Sequence, residues 1–482
     1  MKAILFFGMV LIISFSNTYA QLFHNLDFSQ SCDTSKTGLC HWDLSWGGKG
    51  ACTAGYYDGG PCLLINGKTT SSVGFAEQSA CMGKTEELQI IEVSAKISSE
   101  NVDGKGAGLN IGIYGPEGKL LGNKDMGYAS FNWVFGTSSW KKYTLKIVCP
   151  LGAVKIKIGA ILYGKGTARF DDFKVLIIPV YGRTPSQLAI KYISSACDTI
   201  EKNSLVRDSV NIESLKKDAL LIAGPAKNYA DCYPAVEYLI SSLRPFGDEH
   251  SFFMKAGEVA KFGDYKAENG HITFAEYKLI DSCGYILVPA FQGANKKLIG
   301  AYADTLQNAI KKLNKQRLKG WIIDLREDMG GNMEPMIAGL GPLFSSDTLG
   351  YLVDANGRKS SWSYKDYIAD ASDPATISRP LPIAVLTGPR TGSSGEIVVI
   401  SFIGNAKTKS FGQPTWGLTT GNGDFDLMDG ARMKLASTVM ADRNGKLYHG
   451  PIKPDVVTDK NSHSKIDETL NEAIAYLKNQ VN

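Results

Sequence analysis

The sequence predicts a multidomain protein in which an all-β sandwich of the jelly-roll type is followed by a helical segment and an α/β core. Three observations support this fold class. The 482 residues are too many for one ordinary domain. Up to about residue 180, short apolar or alternating runs are separated by Gly, Asn, Asp and Ser, and no helical period is present. In the C-terminal half, strand-like apolar runs alternate with helical patterns, which favours mainly parallel strands.

The first 20 residues have the organisation of an export signal. Lys2 supplies a positive charge, residues 3–13 form an apolar run, and Thr18-Tyr19-Ala20 is a cleavage site of small residues. No other segment is apolar over a length that could span a bilayer. We therefore expect a secreted or periplasmic protein that does not span the membrane.

Charge and cysteine content narrow the classes of partner and cofactor. The net charge of +4, from 52 basic and 48 acidic side chains, gives no reason to expect a nucleic-acid partner. Nine cysteines fit an oxidising compartment. Candidate disulfide pairs are Cys32 with Cys40, Cys52 with Cys62 and Cys197 with Cys232, and Cys283 would be left over. Neither a Cys-x-x-Cys nor a His-Glu-x-x-His spacing is present, so we expect no catalytic metal and no cofactor.

Residues 21–180 form the predicted sandwich, and two interpretations of it stay open. Its closing run, residues 166–175, is similar to the last strand of jelly-roll carbohydrate-binding modules. Tryptophans of this region are Trp42, Trp46, Trp133 and Trp140. They could form a platform for a glycan, or they could be core residues of a spacer domain, because aromatic side chains are more often buried than displayed.

Residues 184–254 form a predicted helical segment that ends near a candidate general base. Apolar residues recur at intervals of three and four over residues 186–203, 212–223 and 233–242. The segment closes on His250, whose imidazole would titrate near working pH. The alternative is a partly buried structural histidine.

The stretch from residue 382 to residue 403 predicts a strand, a sharp turn and a buried helix, with Ser393 at the turn. A hydroxyl there is exposed, and the free amides at the start of the helix point towards whatever it attacks. The spacing resembles a nucleophile elbow. Alternatively, the small residues are only an N-cap cluster. Glu396 would orient this site, or would only complement the positive end of the helix.

Four motifs in the C-terminal half carry a resemblance to a known family. The run Asp-Leu-Arg-Glu-Asp-Met-Gly-Gly at 324–331 resembles the Asp-Leu-Arg-x-Asn-x-Gly-Gly signature of the tail-specific (C-terminal processing) serine proteases. Residues 391–396 resemble the Ser-x-x-Glu motif of that family, and residues 411–417 and 451–455 match two later segments. The motifs occur in the family order over about residues 185–460. The resemblance implies a crotonase-like (ClpP-like) α/β spiral fold for a protease core at 255–482.

Departures from the family pattern select its histidine branch. Leu418 stands where the Ser–Lys branch has its lysine base, and a leucine cannot accept a proton. Residues 248–251 (Asp-Glu-His-Ser) resemble the Asp-Gly-His-Ser motif of the branch that is similar to the tricorn core protease. The carboxylate position of that branch corresponds to Tyr448, and Asp328 replaces the usual asparagine.

The resemblance implies a peptidase that acts on a peptide or protein substrate. Ser393 would attack the peptide carbonyl and His250 would accept its proton. The oxyanion would be held by the backbone amides of Ser394 and of Gly330 or Gly331. The alternative is a catalytically inactive member of the family that binds a peptide or a lipid in the same cleft.

Overall fold

The computed structural model describes residues 22–30, 40–47, 60–69, 72–127, 133–263, 274–367, 375–377, 379–458 and 467–480. The predicted signal segment and two of the predicted disulfide partners, Cys32 and Cys52, lie outside these ranges, so the signal and these disulfides stay predictions. Cys283 is a buried free thiol, as predicted.

The chain divides into two compact units. One comprises Met1–Ser194 and Glu213–Pro245, and the other comprises Ser195–Ile212 and Phe246–Asn482.

The first unit is built on an antiparallel sheet. Its strands are β1 (Asp43–Gly47), β2 (Leu63–Gly67), β3 (Val73–Cys81), β4 (Gln89–Tyr114), β5 (Leu120–Asp125), β6 (Val134–Cys149) and β7 (Lys155–Pro179). The order is β1-β3-β7-β4-β5, while β2 also pairs with β7 and β6 with β4. The all-β character predicted for this region is confirmed.

Two strands of this sheet are longer than the sequence predicts. Runs expected as separate strands join into β4, and others join into β7. The pairing of β4 with β7 shifts register at Ser94/Lys96, Glu100/Asp103 and Gly104/Gly106. Such irregularities let a strand bend while its pairing continues on both sides. The turn-forming residues therefore mark bulges rather than strand ends.

Aromatic residues of the first unit are divided between its core and its surface. Trp42 is 4% exposed and packs between Phe28 and Phe173, with ring centroids 5.2 and 5.1 Å away. The side chain of Trp140 is 41% exposed. Trp42 is therefore a core residue, whereas Trp140 lies at the surface.

The helical segment contains three helices close to the predicted ones. They are α1 (Gln187–Asn203), α2 (Ile212–Ala223) and α3 (Tyr233–Ser241). A short helix, α4 (Ala256–Gly263), follows strand β8 (Phe252–Met254). No helix in the described part of the chain combines the length and the apolar character needed to cross a membrane.

The second unit contains a mainly parallel sheet, as predicted. Its strands are β9 (Glu276–Ile280), β10 (Cys283–Leu287), β11 (Gly320–Asp324), β14 (Ile383–Thr387), β15 (Thr408–Gly412) and β18 (Val456–Val457), in the order β18-β15-β14-β11-β10-β9. Only the pair of β9 with β10 is antiparallel.

Helices cover both faces of this sheet. They are α5 (Lys296–Asn314), α6 (Glu334–Leu340), α7 (Ser394–Phe402) and α8 (Glu468–Asn479). On β11, Ile322 belongs to the apolar cluster formed with α8, whereas Ile323 belongs to the cluster formed with α5, α6 and α7. Adjacent strand residues point to opposite faces, so the central strands β11 and β14 are buried on both sides.

A second, antiparallel sheet of this unit positions part of the site. It consists of β8, β12 (Thr348–Asp354), β13 (Lys359–Ser363), β16 (Thr420–Asp426) and β17 (Arg432–Asp442). Its order is β13-β12-β17-β16, and β8 also pairs with β17. The segment that carries His250 leads directly into β8, so this sheet fixes where the histidine lies.

Candidate active site

Ser393 lies in a strained turn between β14 and α7. All five residues of β14 are buried, and the turn that follows is closed by Thr391, whose hydroxyl donates to the Leu325 carbonyl at 2.8 Å. The backbone of Ser393 has φ +52° and ψ −117°. Such a conformation costs a non-glycine residue about 1–3 kcal/mol. An ordinary N-cap has an extended backbone and carries no such strain, so capping alone does not explain this geometry.

Glu396 ties the serine turn to a neighbouring segment. One oxygen of its carboxylate accepts the Ser393 amide at 2.9 Å. The other accepts the Gly417 amide at 2.9 Å and the Thr415 hydroxyl. The side chain is completely buried. Burial raises the pKa of Glu396 to about 7, although these three hydrogen bonds favour the ionised form.

Two glycines pack against the serine turn where no side chain would fit. A Cβ atom on Gly330 would lie 2.8 Å from the Ser393 Cβ and from the Ser394 nitrogen. A Cβ atom on Gly331 would lie 1.9 Å from the Phe291 carbonyl oxygen. Both residues have a positive φ, +96° and +113°. Glycine is required at both positions, because other residues would be strained there and would collide with the neighbouring backbone.

The hydrogen bonds of this loop distinguish between the predicted oxyanion donors. The Gly330 amide donates to Oδ1 of Asp328 at 2.9 Å. Ser394 is the first residue of α7, and an amide at that position has no acceptor within its own helix. The Phe291 amide donates to the Gly330 carbonyl, and the Phe291 carbonyl accepts the Asn332 amide. The Gly331 amide takes no part in this pairing. Of the two glycines, Gly331 therefore has the more available amide.

Asp328 is completely buried beside these amides. Its backbone carbonyl accepts the Gly392 amide at 2.9 Å, so the residue holds the glycine loop and the serine turn together. Oδ2 has no hydrogen-bond partner among the described residues. Burial raises the pKa of Asp328 to about 8. At neutral pH this side chain is predominantly an uncharged acid.

His250 is held by a polar turn. The Asp248 carboxylate accepts the amides of His250 and Ser251, at 3.2 and 2.8 Å, and the Ser251 hydroxyl. The imidazole is 8% exposed, and its Nδ1 lies 2.8 Å from Oγ1 of Thr420. Burial lowers the pKa of His250 to about 4. The ring is therefore neutral at physiological pH, as a general base must be.

The residue that contacts the histidine ring differs from the family carboxylate position. The Tyr448 hydroxyl donates to Oδ2 of Asp442 at 2.9 Å and makes no contact of this kind with His250. Thr420, which the sequence patterns did not single out, contacts the ring instead. Its only signal was its position, three residues after the motif at 411–417.

The segment 415–420 connects the serine turn to the histidine. The Trp416 amide donates to the Thr391 carbonyl at 2.8 Å. Leu418 lies near Gly392, since a Cβ atom on that glycine would be in ordinary van der Waals contact with the Leu418 Cδ1, at 3.8 Å. Two residues later, Thr420 contacts the imidazole. Both predicted catalytic side chains thus lie along one short segment, although no hydrogen bond joins the Ser393 hydroxyl to His250 among the described residues.

Comparisons with known proteins identify the family. The model of peptidase family S41 matches residues 282–458. The nisin-resistance protein of Lactococcus lactis subsp. lactis is 30% identical over 284 residues, which cover 58% of this chain and 86% of the relative. The chain belongs to peptidase family S41. It is therefore a serine-type peptidase by family, and the predicted resemblance to tail-specific proteases is confirmed.

Other proteins are also similar to this S41 peptidase. Probable CtpA-like serine proteases of Staphylococcus aureus, for example strain COL, are 23% identical over 222 residues, which cover 45% of this chain and 42% of those proteins. The structure of a lipoprotein from Streptococcus agalactiae is similar with 29% identity and a TM-score of 0.52, over 63% of this chain and 99% of that one.

Within the ranges that the structure describes, three or more His, Cys, Asp or Glu side chains nowhere come together as metal ligands would.

Proposed function

We propose that this S41 peptidase is exported and hydrolyses peptide bonds with Ser393 as nucleophile and His250 as general base. The observation that carries the proposal is the strained backbone of Ser393 at the start of α7. Strain of this kind persists only where surrounding contacts enforce it. Those contacts come from Glu396 on one side and from the glycine loop on the other.

In the proposed first step, Oγ of Ser393 attacks the carbonyl carbon of the scissile peptide and its proton passes to Nε2 of His250. The imidazole then gives that proton to the leaving amine as the tetrahedral intermediate collapses. Water hydrolyses the acyl-enzyme by the same proton transfers. The bond between Ser393 and His250 would form with substrate bound, since catalytic hydrogen bonds are often long in free enzymes.

The oxyanion would be held by the amides of Ser394 and Gly331. Ser394 lies at the positive end of α7, which favours a developing negative charge. Its side chain also donates to the Gly331 carbonyl at 2.7 Å, which fixes the two donors relative to each other. A donor of this kind typically contributes about 3 kcal/mol to transition-state stabilisation.

The hydrogen bond between His250 and Thr420 would set the tautomer of the base. With the Nδ1 proton donated to the threonine oxygen, Nε2 is left unprotonated. A hydroxyl supplies a dipole where related sites use a carboxylate. The imidazolium that forms during the reaction is therefore stabilised less than it would be beside an anion.

The finer architecture is part of the proposal. We assign residues 21–180 to a jelly-roll accessory domain, residues 184–254 to a helical segment of the protease, and residues 255–482 to a crotonase-like core. The match to a lipoprotein supports an extracytoplasmic location. A glycan is a candidate partner of the first domain, and the exposed ring of Trp140 is the position to substitute when binding is measured on a glycan array.

Labelling with a serine-reactive phosphonate, followed by mass-spectrometric mapping, tests the catalytic assignment. We expect modification at Ser393, and a much slower reaction in the His250→Ala variant. Modification of another serine, or an equal rate in that variant, would refute the proposed pair.

A further inference from the structure

Asp328 is a buried carboxyl group for which the proposed reaction has no direct use. It is completely buried, one oxygen accepts a single amide hydrogen, and the other has no partner among the described residues. An ionised carboxylate in such a place would lack most of the hydrogen bonds that offset its lost hydration. An uncharged acid is far less costly there.

The contacts of Asp328 reach both halves of the proposed site. Its side chain fixes the Gly330 amide, one residue from the proposed oxyanion donor Gly331. Its backbone carbonyl accepts the Gly392 amide, one residue before Ser393. A Cβ atom on Gly395 of α7 would lie 3.1 Å from the Asp328 carboxyl carbon. The acid is therefore packed between the two segments whose spacing decides whether an oxyanion can be held.

An uncharged aspartic acid imitates the asparagine that the family signature has at this place. Both side chains offer a carbonyl oxygen to the Gly330 amide, and both have nearly the same shape. They differ in one respect. The acid can lose a proton and the amide cannot.

We propose that Asp328 is a positioning residue that orders the oxyanion loop only as a neutral acid, so that its ionisation switches the peptidase off at alkaline pH. This inference rests on the proposed function. Once ionised, the carboxylate can regain hydration only by moving towards solvent, which releases Gly330. Its negative charge would also oppose the charge that develops on the substrate oxygen.

Other titratable groups near Asp328 do not account for such a switch. Tyr302 on α5 faces it, and burial together with the Asp328 charge raises the pKa of Tyr302 well above its usual value. Burial raises the pKa of Glu396 on α7 to about 7, but its hydrogen bonds, among them that from the Ser393 amide, favour the ionised form. Its ionisation would therefore strengthen these bonds at alkaline pH rather than release them. In the turn before Ser393, Arg390 pairs with Glu327 at 3.0 Å.

The pH dependence of kcat with a fluorogenic peptide tests the switch in the full-length protein. Because burial raises the pKa of Asp328 to about 8, wild-type kcat should fall above that pH. The fall should be about tenfold per pH unit for a single ionisation. The Asp328→Asn variant should show no such fall over the same range.

Asp347→Asn is the control, because it removes a carboxylate whose side chain is 64% exposed. Its kcat should fall with pH as that of the wild type does. Parallel declines in the wild type and in Asp328→Asn would overturn the proposal.

A stability measurement separates this inference from the proposed reaction. In the folded protein the pKa of Asp328 is raised from the usual 3.8 to about 8. The protonated side chain therefore contributes its full stabilisation below pH 3.8, and this contribution is lost as the pH rises from 3.8 through about 8. Both proteins compared carry Ser393→Ala, and one of them also carries Asp328→Asn. The rise in melting temperature caused by Asp328→Asn should increase with pH over that window and then level off. If no peptide is cleaved at any pH, the proposed function fails, but the melting temperatures still test whether Asp328 is a buried neutral acid. A rise in melting temperature that does not change with pH would contradict a buried neutral acid.

Discussion

The Nδ1 atom of His250 lies 2.8 Å from Oγ1 of Thr420, and this contact links two strands of the antiparallel sheet. Thr420 is the first residue of β16, while His250 precedes β8, and both strands pair with β17. The side chain of Asn422, also on β16, donates to the His250 carbonyl at 3.0 Å. The sheet therefore contacts the imidazole ring itself, while the Asp248 carboxylate holds the backbone of the same residue.

Replacing Thr420 by valine should lower kcat about fivefold, with little change in KM. The substitution keeps the shape and removes one orienting hydrogen bond, whose loss costs about 1 kcal/mol. Thr438→Val is a matched control, because it removes a threonine hydroxyl on β17 that donates to the Gly421 carbonyl. Steady-state kinetics with one peptide substrate measure both variants. Equal effects of the two substitutions would show that Thr420 acts only through sheet stability.

Two substitutions of Ser393 separate its chemistry from its backbone strain. Both Ser393→Ala and Ser393→Gly should abolish hydrolysis, since each removes the nucleophile. Alanine keeps the strain at φ +52°, and its melting temperature should stay near that of the wild type. Glycine adopts this conformation freely and should be more stable than the alanine variant by about 1 kcal/mol. Thermal unfolding of the pair measures the difference, and a less stable glycine variant would contradict a strained serine.

The His250 imidazole should remain neutral down to unusually low pH. Burial lowers its pKa from 6.5 to about 4, so the charged form appears only near that pH. Because the folded pKa lies below the unfolded one, the linked stability is present above 6.5 and is lost as pH falls towards 4. NMR titration of labelled histidines in the Ser393→Ala variant measures this directly. A midpoint near the usual value would show that the ring is solvated.

The serine turn and the parallel sheet could be predicted because their signals are local. An apolar run, small residues and a second apolar run predict a strand, turn and helix around Ser393. The observed helix begins at Ser394, directly after the predicted turn residue. The departure at Leu418 was also readable, since a leucine cannot act as a base. The structure shows that this leucine lies near Gly392, next to the serine turn.

The partner of the histidine could not be predicted because the contact joins residues that are 170 positions apart. Nothing in the residues around Thr420 distinguishes it from Thr419, whose hydroxyl donates to the Tyr448 carbonyl instead. Alternation along β16 decides which of them faces the imidazole. The protonation of Asp328 was equally hidden, because it depends on how completely the fold buries the residue.

Glu396→Gln should both destabilise the protein and slow hydrolysis. The carboxylate accepts from the Ser393 amide, the Gly417 amide and the Thr415 hydroxyl. A glutamine can offer only its carbonyl oxygen, and its amide would face a donor, at a cost of about 1–3 kcal/mol. The matched control is Glu334→Gln, which removes a carboxylate from the first turn of α6. If Glu396 only complements the end of its helix, the two substitutions should cost the same few tenths of a kcal/mol. Chemical unfolding together with kcat decides between them, and equal, small effects on stability without a loss of kcat would remove Glu396 from the site.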